Sequence, residues 1–185
     1  MKKFASYDTA VPYQKSRRLP PGGYIIGIIS AIEKQESWGD VLEIKFDIAE
    51  GEYKNFFTEQ YNTSTLDDKK YKGVYRINIP KGDGSEQDEW TLRRFKTDML
   101  AIEASNSGYK WDWEEKSLEG KKSGAIFFEK EYDWNGKTGM FTALHSLCDI
   151  ATIEKGDYEI PAPKMLKSKA AVMTEIDDDD LDLPF

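Results

Sequence analysis

The chain has 185 residues, of which 39% are apolar, so it can form one domain with a single core and appendages. One cysteine and one histidine exclude an internal disulfide and argue against a Cys/His zinc site or a catalytic histidine pair. The net charge is −8, but six acids and no Lys or Arg lie within residues 174–185. Removing those six charges leaves −2 for the rest, which can therefore carry a local basic surface.

The N-terminus is predicted to be a basic arm, residues 1–21, that closes with Pro20 and Pro21. Its five Lys and Arg residues face a single acid, Asp8, and it shows no sustained periodicity. No apolar run of signal-peptide length follows, and no stretch approaches the roughly 20 apolar residues that span a bilayer. We therefore expect a cytoplasmic protein without a membrane segment.

Residues 22–160 form the predicted body, and their patterns are mostly those of β-strands. Residues 41–48 alternate apolar and charged side chains, and the pair Asn135-Gly136 is the strongest short signal for a hairpin. Runs rich in Ile, Tyr and Phe, bounded by Gly or Pro, mark the other strands. In chain order, strands are predicted over residues 24–32, 41–48, 53–61, 71–79, 125–132 and 138–148.

One helix is predicted between the fourth and fifth of these strands. Ser85 or Asp88 can cap its start, and Asn106-Ser107-Gly108 ends it. Its apolar residues recur at helical spacing: Leu92, Phe95, Met99 and Ile102.

Three or four strands, one helix and a hairpin follow each other in the order found in OB-folds. We therefore predict a mainly β protein, an OB-fold-type five-stranded barrel with one inserted helix. A twisted α+β sheet with one covering helix has a similar order of elements and stays open as an alternative.

The C-terminal segment, residues 161–185, is predicted to be a disordered linker and acidic tail, because its Asp run repels itself and has nothing apolar to bury. A tail that served only solubility would have no reason to end in Leu-Pro-Phe with a free carboxylate. An apolar pocket beside a Lys or Arg of a partner would accept that end, while the Asp run steers the encounter. The residues predicted to bind partners are Asp179, Asp180, Asp182, Leu183, Pro184 and Phe185.

This tip resembles the ends of bacterial and phage single-stranded DNA-binding proteins, which carry three Asp, then Ile or Leu, then Pro-Phe. Leu181 interrupts the Asp run here, but the final Leu-Pro-Phe is intact. The body is similar, in weaker patterns such as residues 23–26, 42–46 and 118–122, to a phage-encoded group of these proteins. The resemblance implies an OB-fold that binds single-stranded DNA in phage DNA replication, recombination and repair, in the host-cell cytoplasm. It also implies that the tip recruits replication and recombination proteins.

Binding of a single strand without sequence preference needs aromatic faces for the bases and cations for the phosphates. Trp38 and Trp134 lie in predicted turns and Tyr61 has polar neighbours, so their rings are not obviously core. Residues 71–76 interleave tyrosines with cations. The candidate DNA-binding residues, each of which could instead serve core or rim packing, are Trp38, Tyr61, Tyr71, Lys72, Tyr75, Arg76, Trp134, Lys137, Arg17 and Arg18.

Enzymatic function is not expected, because the sequence contains no P-loop, nucleophile elbow or metal-ligand cluster, and no cofactor is expected either. The main alternative is a protein-interaction module, such as an acidic DNA mimic that inhibits a DNA-binding enzyme. A mimic should carry its negative charge on the folded surface, whereas most of the excess lies in the tail. Formation of a homo-oligomer, strand annealing and the preference between DNA and RNA stay open.

Overall fold

The computed structural model describes Phe4, Tyr7 and residues 17–166. Across these residues, five strands form one antiparallel sheet, and three α-helices and a short 3-10 helix accompany it. This confirms the mainly β class. The strands are β1 (Gly22–Glu36), β2 (Gly39–Ile48), β3 (Val74–Asn78), β4 (Lys122–Trp134) and β5 (Lys137–Cys148). The helices are α1 (Phe56–Thr63), α2 (Glu86–Ser105), the 3-10 helix (Glu115–Leu118) and α3 (Ile150–Lys155).

β1 holds the sheet together, because two strands pair with different parts of it. Its residues 26–36 pair with β2, and its residues 22–27 pair with β4. A bulge between Ile28 and Ser30 interrupts the first ladder, and bulges increase the local twist of a strand. The strand order is β3-β2-β1-β4-β5. β3 and β5 are therefore edge strands, and the sheet of the described residues is open where a closed barrel would join them.

The core lies on one side of the sheet and is centred on aromatic rings. The ring centroid of Phe46 lies 5.4 Å from that of Phe57 and 6.0 Å from that of Phe127. Apolar residues of β2 alternate into this core, as the sequence pattern over residues 41–48 predicts. The buried members of that set are Leu42, Ile44, Phe46 and Ile48.

The prediction of a strand over residues 53–61 is wrong, because α1 forms there. Asn55 adopts a left-handed conformation, with φ 61°, and ends the extended path. The Asp47 carboxylate then accepts hydrogen bonds from the backbone N–H groups of Phe57 and Thr58, at 2.9 and 2.8 Å. These bonds satisfy N–H groups that the first turn of a helix leaves without partners. Both phenylalanines at the start of α1 are buried.

α2 is the predicted helix, and it begins at a predicted cap, since Ser85 Oγ accepts a hydrogen bond from the Asp88 N–H at 3.1 Å. The helix contacts β3, β4 and β5. Its buried Asp98 accepts a hydrogen bond from the Tyr75 hydroxyl in β3 at 3.1 Å. α2 thus packs against both edge strands of the open sheet, and Asp98 bonds it to β3.

Both ends of the continuous described segment pack against β4 and β5. Leu19 is buried, and its carbonyl accepts a hydrogen bond from Thr142 Oγ1 at 2.6 Å. Lys164 forms a parallel bridge with Lys130. The predicted arm and linker therefore meet the body at these points. None of the described helices is long and apolar enough to cross a membrane.

Candidate nucleic-acid interface

The β4–β5 hairpin extends past the first residue of β1. Gly22 is paired with Phe127, so β4 beyond that point has no β1 residue beside it. We call residues 128–143 the ribbon. Asn135 and Gly136 form its turn with φ values of 51° and 77°, the geometry that an Asn-Gly pair favours. The predicted hairpin is therefore confirmed.

One side of the ribbon combines aromatic and basic side chains. Alternation and register put Lys130, Tyr132 and Trp134 of β4 on the same side as Lys137 and Phe141 of β5. Trp134 and Tyr132 are 56% and 41% exposed, and the rings of Tyr132 and Phe141 lie 6.2 Å apart. We call these five residues the ribbon face. It offers exposed rings and ammonium groups side by side.

Gly139 allows the Tyr132 ring to lie across β5. A Cβ atom at Gly139 would lie 2.6 Å from Tyr132 Oη and 2.8 Å from its Cε1. Nearer the body, Phe128 and His145 continue this side with ring centroids 5.1 Å apart. The glycine therefore determines where the exposed ring lies on the ribbon face.

The opposite side of the ribbon is acidic, and residues near the two ends of the continuous described segment contact its carboxylates. Arg18 pairs with Glu129 at 2.7 Å, and the Leu166 N–H donates to Glu131 at 3.0 Å. Asp133 accepts a hydrogen bond from within the turn at 2.9 Å. These contacts satisfy carboxylates that would otherwise repel phosphates, and they lie on the side away from the ribbon face.

A second exposed group lies on the outer side of β1 and β2, away from the core. Trp38 stands at the tip of the β1–β2 hairpin and is 40% exposed, and Ile29 and Ile32 are exposed along β1. Lys45 of β2 is paired with Ser30 in the ladder. Trp38 follows the last residue of β1, whereas the ribbon extends past the first, so the two groups lie toward opposite ends of that strand.

Arg76 also lies on this outer side, but its guanidinium is paired with Glu43. Its Nε and Nη2 atoms donate to Glu43 Oε2 at 3.2 and 3.0 Å, and Lys34 donates to Oε1 at 2.7 Å. Burial raises the pKa of Glu43, but the hydrogen bonds and charges of Lys34 and Arg76 outweigh burial and hold this pKa below its usual range. The prediction of Arg76 as a phosphate contact is therefore weakened, because it already neutralises a buried carboxylate.

Tyr75 cannot offer its ring to a base. The ring belongs to the core, only 9% of the residue is exposed, and the hydroxyl donates to Asp98 at 3.1 Å. Tyr75 alternates inward along β3, toward α2. The interpretation of Tyr75 as a stacking residue is therefore wrong.

Tyr61 of α1 and Tyr71, which precedes β3, form a separate half-buried pair. Their ring centroids lie 6.0 Å apart, and the Lys69 ammonium lies 4.8 Å from the Tyr61 ring. Tyr71 Oη donates to the Phe46 carbonyl at 3.0 Å, and burial raises the pKa of Tyr71 to about 12. Tyr71 is therefore held by the body, while the neighbouring Lys72 is exposed.

Arg17 and Arg18 are described at the end of the arm, and both are paired. Arg17 lies 5.2 Å from the Tyr53 ring centroid and pairs with Glu52 at 3.3 Å. Arg18 pairs with Glu129 on the acidic side of the ribbon. In this structure both cations attach the arm to the body.

Of the ten candidates, the structure brings Trp134 and Lys137 together on the ribbon face. Sequence reasoning missed Lys130, Tyr132 and Phe141. The signal for the first two was present, because residues 128–134 alternate aromatic or basic side chains with acids. The predicted partner-binding residues of the tip lie outside the described residues.

Residues 17–166 contain no group of three or more His, Cys, Asp or Glu that could hold a metal ion. No family model matches this chain, and no curated protein sequence matches it.

Proposed function

We propose that this protein binds single-stranded DNA without sequence preference, and that the ribbon face is a principal part of its binding surface. The observation that carries the proposal is the juxtaposition of exposed Trp134 and Tyr132 with Lys130 and Lys137 on one side of a two-stranded ribbon. Aromatic rings stack with any base, and each stacked base contributes about 1–3 kcal/mol. Ammonium groups pair with phosphates whatever the sequence.

We interpret the fold as a partly open OB-type barrel, and this interpretation supports the proposal. The OB-fold is a five-stranded, partly open Greek-key barrel that binds oligonucleotides with one sheet face and with the loops after its first and fourth strands. Trp38 lies in the first of the corresponding loops and Trp134 at the edge of the second. In this interpretation α2, which contacts both β3 and β5, fills the gap between them.

The proposed mechanism needs no chemical step. A strand lies along the ribbon face with bases against the two rings and phosphates near the two lysines. The outer side of β1 and β2, with Trp38 and Lys45, would extend this path. The acidic tip, residues 179–185, would recruit proteins of DNA replication, recombination and repair to the coated strand.

The test is a titration of fluorescently labelled dT oligomers with the full chain at two salt concentrations, beside a duplex of equal length. We expect tight binding of the single strand, quenching of tryptophan fluorescence, weaker binding at the higher salt and little affinity for duplex. Absence of single-strand binding at low salt would overturn the proposal. The interaction-module or DNA-mimic function would then be the better account, and capture of a DNA-binding enzyme would test it.

A further inference from the structure

The solvent side of α2 carries two acids followed by two cations. At 3.6 residues per turn, Glu86, Glu89, Arg93 and Lys96 fall on one stripe, opposite the side chains that α2 buries in the core. All four are exposed, and we call them the α2 stripe. Glu89 and Arg93 approach each other to 3.8 Å within the helix, but a pair with both side chains exposed contributes little. The charges of the stripe are therefore accessible to a partner.

The order of these charges is self-complementary. Glu86 and Lys96 are equally far from Thr91 along the helix, and so are Glu89 and Arg93. When a second α2 lies antiparallel across the stripe, with the two Thr91 positions level, each acid faces a cation of the other copy. Four ion pairs form in this arrangement, whereas a parallel arrangement places like charges together.

Exposed apolar side chains flank the stripe on both sides. Trp90 lies on one flank and Leu92 on the other, with 51% and 47% of their surfaces exposed. Trp113 joins the flank of Leu92, because its loop is bonded to Glu103 on that flank through the Trp111 N–H. It stacks on Phe95 with ring centroids 6.1 Å apart and is still 71% exposed. Exposed apolar groups that cluster in this way mark protein interaction sites.

The backbone of Trp113 is unusual for such an exposed residue. Its φ of 66° lies in the left-handed region, which few residues other than glycine adopt. Strain of this kind persists where the surrounding structure imposes it, and it is concentrated at functional sites. The strained loop therefore holds a large ring at the surface beside the stripe.

The balance of charge around the rings narrows the choice of partner. Four exposed acids and three exposed cations lie on α2 and its neighbouring loop: Glu86, Glu89, Asp112, Glu114, Arg93, Arg94 and Lys96. A partner of one charge sign would meet like charges here, and like charges across an interface select against a partner. A second copy of the chain presents both signs in the required order.

We propose that the chain forms a symmetric dimer in which the α2 stripes of two copies pack antiparallel. The two-fold symmetry places each flank beside the same flank of the other copy. Trp90 then packs against Trp90 of the other copy, and Leu92 with Trp113 against their counterparts. The rings supply the apolar area that is removed from water, and the charges determine the orientation.

This dimer leaves both ribbon faces open. α2 buries its apolar side chains in the same core as Ala125 and Phe127 of β4. The β4 side chains of the ribbon face alternate with these two and point to the other side of the sheet. The inference goes beyond single-strand binding and can fail without affecting it.

The experiment measures the molar mass of the full chain by sedimentation equilibrium over a range of protein concentrations. One variant, Glu86→Lys with Glu89→Lys, makes the stripe wholly cationic, and a second, Arg93→Glu with Lys96→Glu, makes it wholly acidic. Each is measured alone and in an equimolar mixture of the two. The matched control, Lys54→Glu with Lys155→Glu, changes two exposed lysines of other parts of the chain.

A third variant tests the flank without changing the charge of the stripe. Trp90→Ser removes an exposed ring and leaves all four charges in place. Circular dichroism checks that every variant is folded. Recovery of association in the mixture cannot come from unfolding, because only folded stripes can complement each other.

We expect the wild-type chain to shift from monomer mass to dimer mass as its concentration rises. Each stripe variant alone should associate at least tenfold more weakly and Trp90→Ser at least fivefold, while the control should change less than twofold. The mixture should recover association, because a cationic stripe then faces an acidic one.

Three results would each overturn the inference. They are a wild-type chain that stays monomeric, a stripe variant or Trp90→Ser that associates like the wild type, and a mixture that associates no better than its components. Binding of a dT oligomer, measured in the same samples, reports separately on the proposed function and should be unchanged by the stripe substitutions.

Discussion

The hydroxyl of Tyr75 donates a hydrogen bond to Asp98 Oδ2 at 3.1 Å, and this bond joins edge strand β3 to α2. Both residues are buried, at 9% and 5% exposure. Burial raises the pKa of Asp98 to about 6, although Tyr75, Arg94 and Leu147 act to lower it. A buried carboxylate with raised pKa favours the folded state when it is protonated, so the link between sheet and helix is sensitive to pH.

The first prediction concerns that pH dependence. The folded pKa of Asp98, about 6, lies above the ordinary 3.8, so its contribution to stability is present below about pH 4 and is lost as pH rises through 6. Asp98→Asn removes this titration and keeps one acceptor oxygen. The unfolding free energy of the variant minus that of the wild type should rise by about 2 kcal/mol between pH 4.5 and 7.5. A difference that stays constant over this range, in urea unfolding at each pH, would contradict the account.

The second prediction concerns the start of α1. Asp47 accepts hydrogen bonds from Ile48, Phe57 and Thr58 N–H groups at 2.8, 2.9 and 2.8 Å. Asp47→Ala leaves these donors without their partner and should lower the unfolding free energy by about 2–4 kcal/mol. Urea unfolding measures the loss. The exposed Asp67→Ala serves as the control and should change stability by less than about 0.5 kcal/mol; an equally small effect at Asp47 would show that the cap is dispensable.

The third prediction concerns the position of the Tyr132 ring. Gly139→Ala places a Cβ within 2.6 Å of Tyr132 Oη, and the ring, at the far end of a flexible side chain, must move off β5. Single-strand affinity should fall about fivefold, equal to about 1 kcal/mol, with little loss of thermal stability. Thr138→Ala, at the neighbouring position on the other side of the ribbon, should leave affinity unchanged. Equal effects of both variants would argue against a role for the ring position.

The fourth prediction concerns the charges of the ribbon face. Each phosphate contact with a single strand contributes about −0.7 to the slope of log affinity against log salt concentration. Lys130→Gln with Lys137→Gln should therefore reduce the magnitude of the slope by about 1.4. Lys116→Gln with Lys155→Gln, which removes two exposed lysines of other elements, should leave the slope as it is. A slope unchanged by the ribbon substitutions would mean that these lysines do not contact phosphate.

The sequence predicted the elements whose signals are local. The alternation over residues 41–48, the apolar spacing of α2 and the Asn135-Gly136 turn each depend on neighbours in the chain. α1 could not be found in this way, because residues 56–61 are rich in aromatics that favour a strand, and the carboxylate that caps the helix comes from Asp47, nine residues before the helix begins. The open edge between β3 and β5 could not be predicted either, since pairing of these two strands depends on contacts between residues far apart in the chain.

Of the ribbon face, the sequence predicted only the two residues that flank the hairpin turn. The Asn135-Gly136 turn signal predicts that Trp134 and Lys137 are exposed, whereas the alternation that places Tyr132 on the same side predicts only a strand. For residues 71–76, by contrast, the sequence predicted DNA-binding side chains that the structure engages elsewhere. Their tyrosines and cations interleave, but the pattern cannot tell that Tyr75 points to the core or that Arg76 has Glu43, thirty-three residues earlier, as its partner.

The central claim is that the ribbon face binds single-stranded DNA, and the most direct test compares Tyr132→Ala with Trp134→Ala in one chain against Trp90→Ala, an equally exposed ring on α2. Affinity for a labelled dT oligomer is measured at fixed salt. Loss of about 2 kcal/mol of stacking predicts about 30-fold weaker binding for the ribbon variant and no change for the α2 variant. Wild-type affinity in the ribbon variant, in a chain that still binds dT, would contradict the account and place the strand elsewhere.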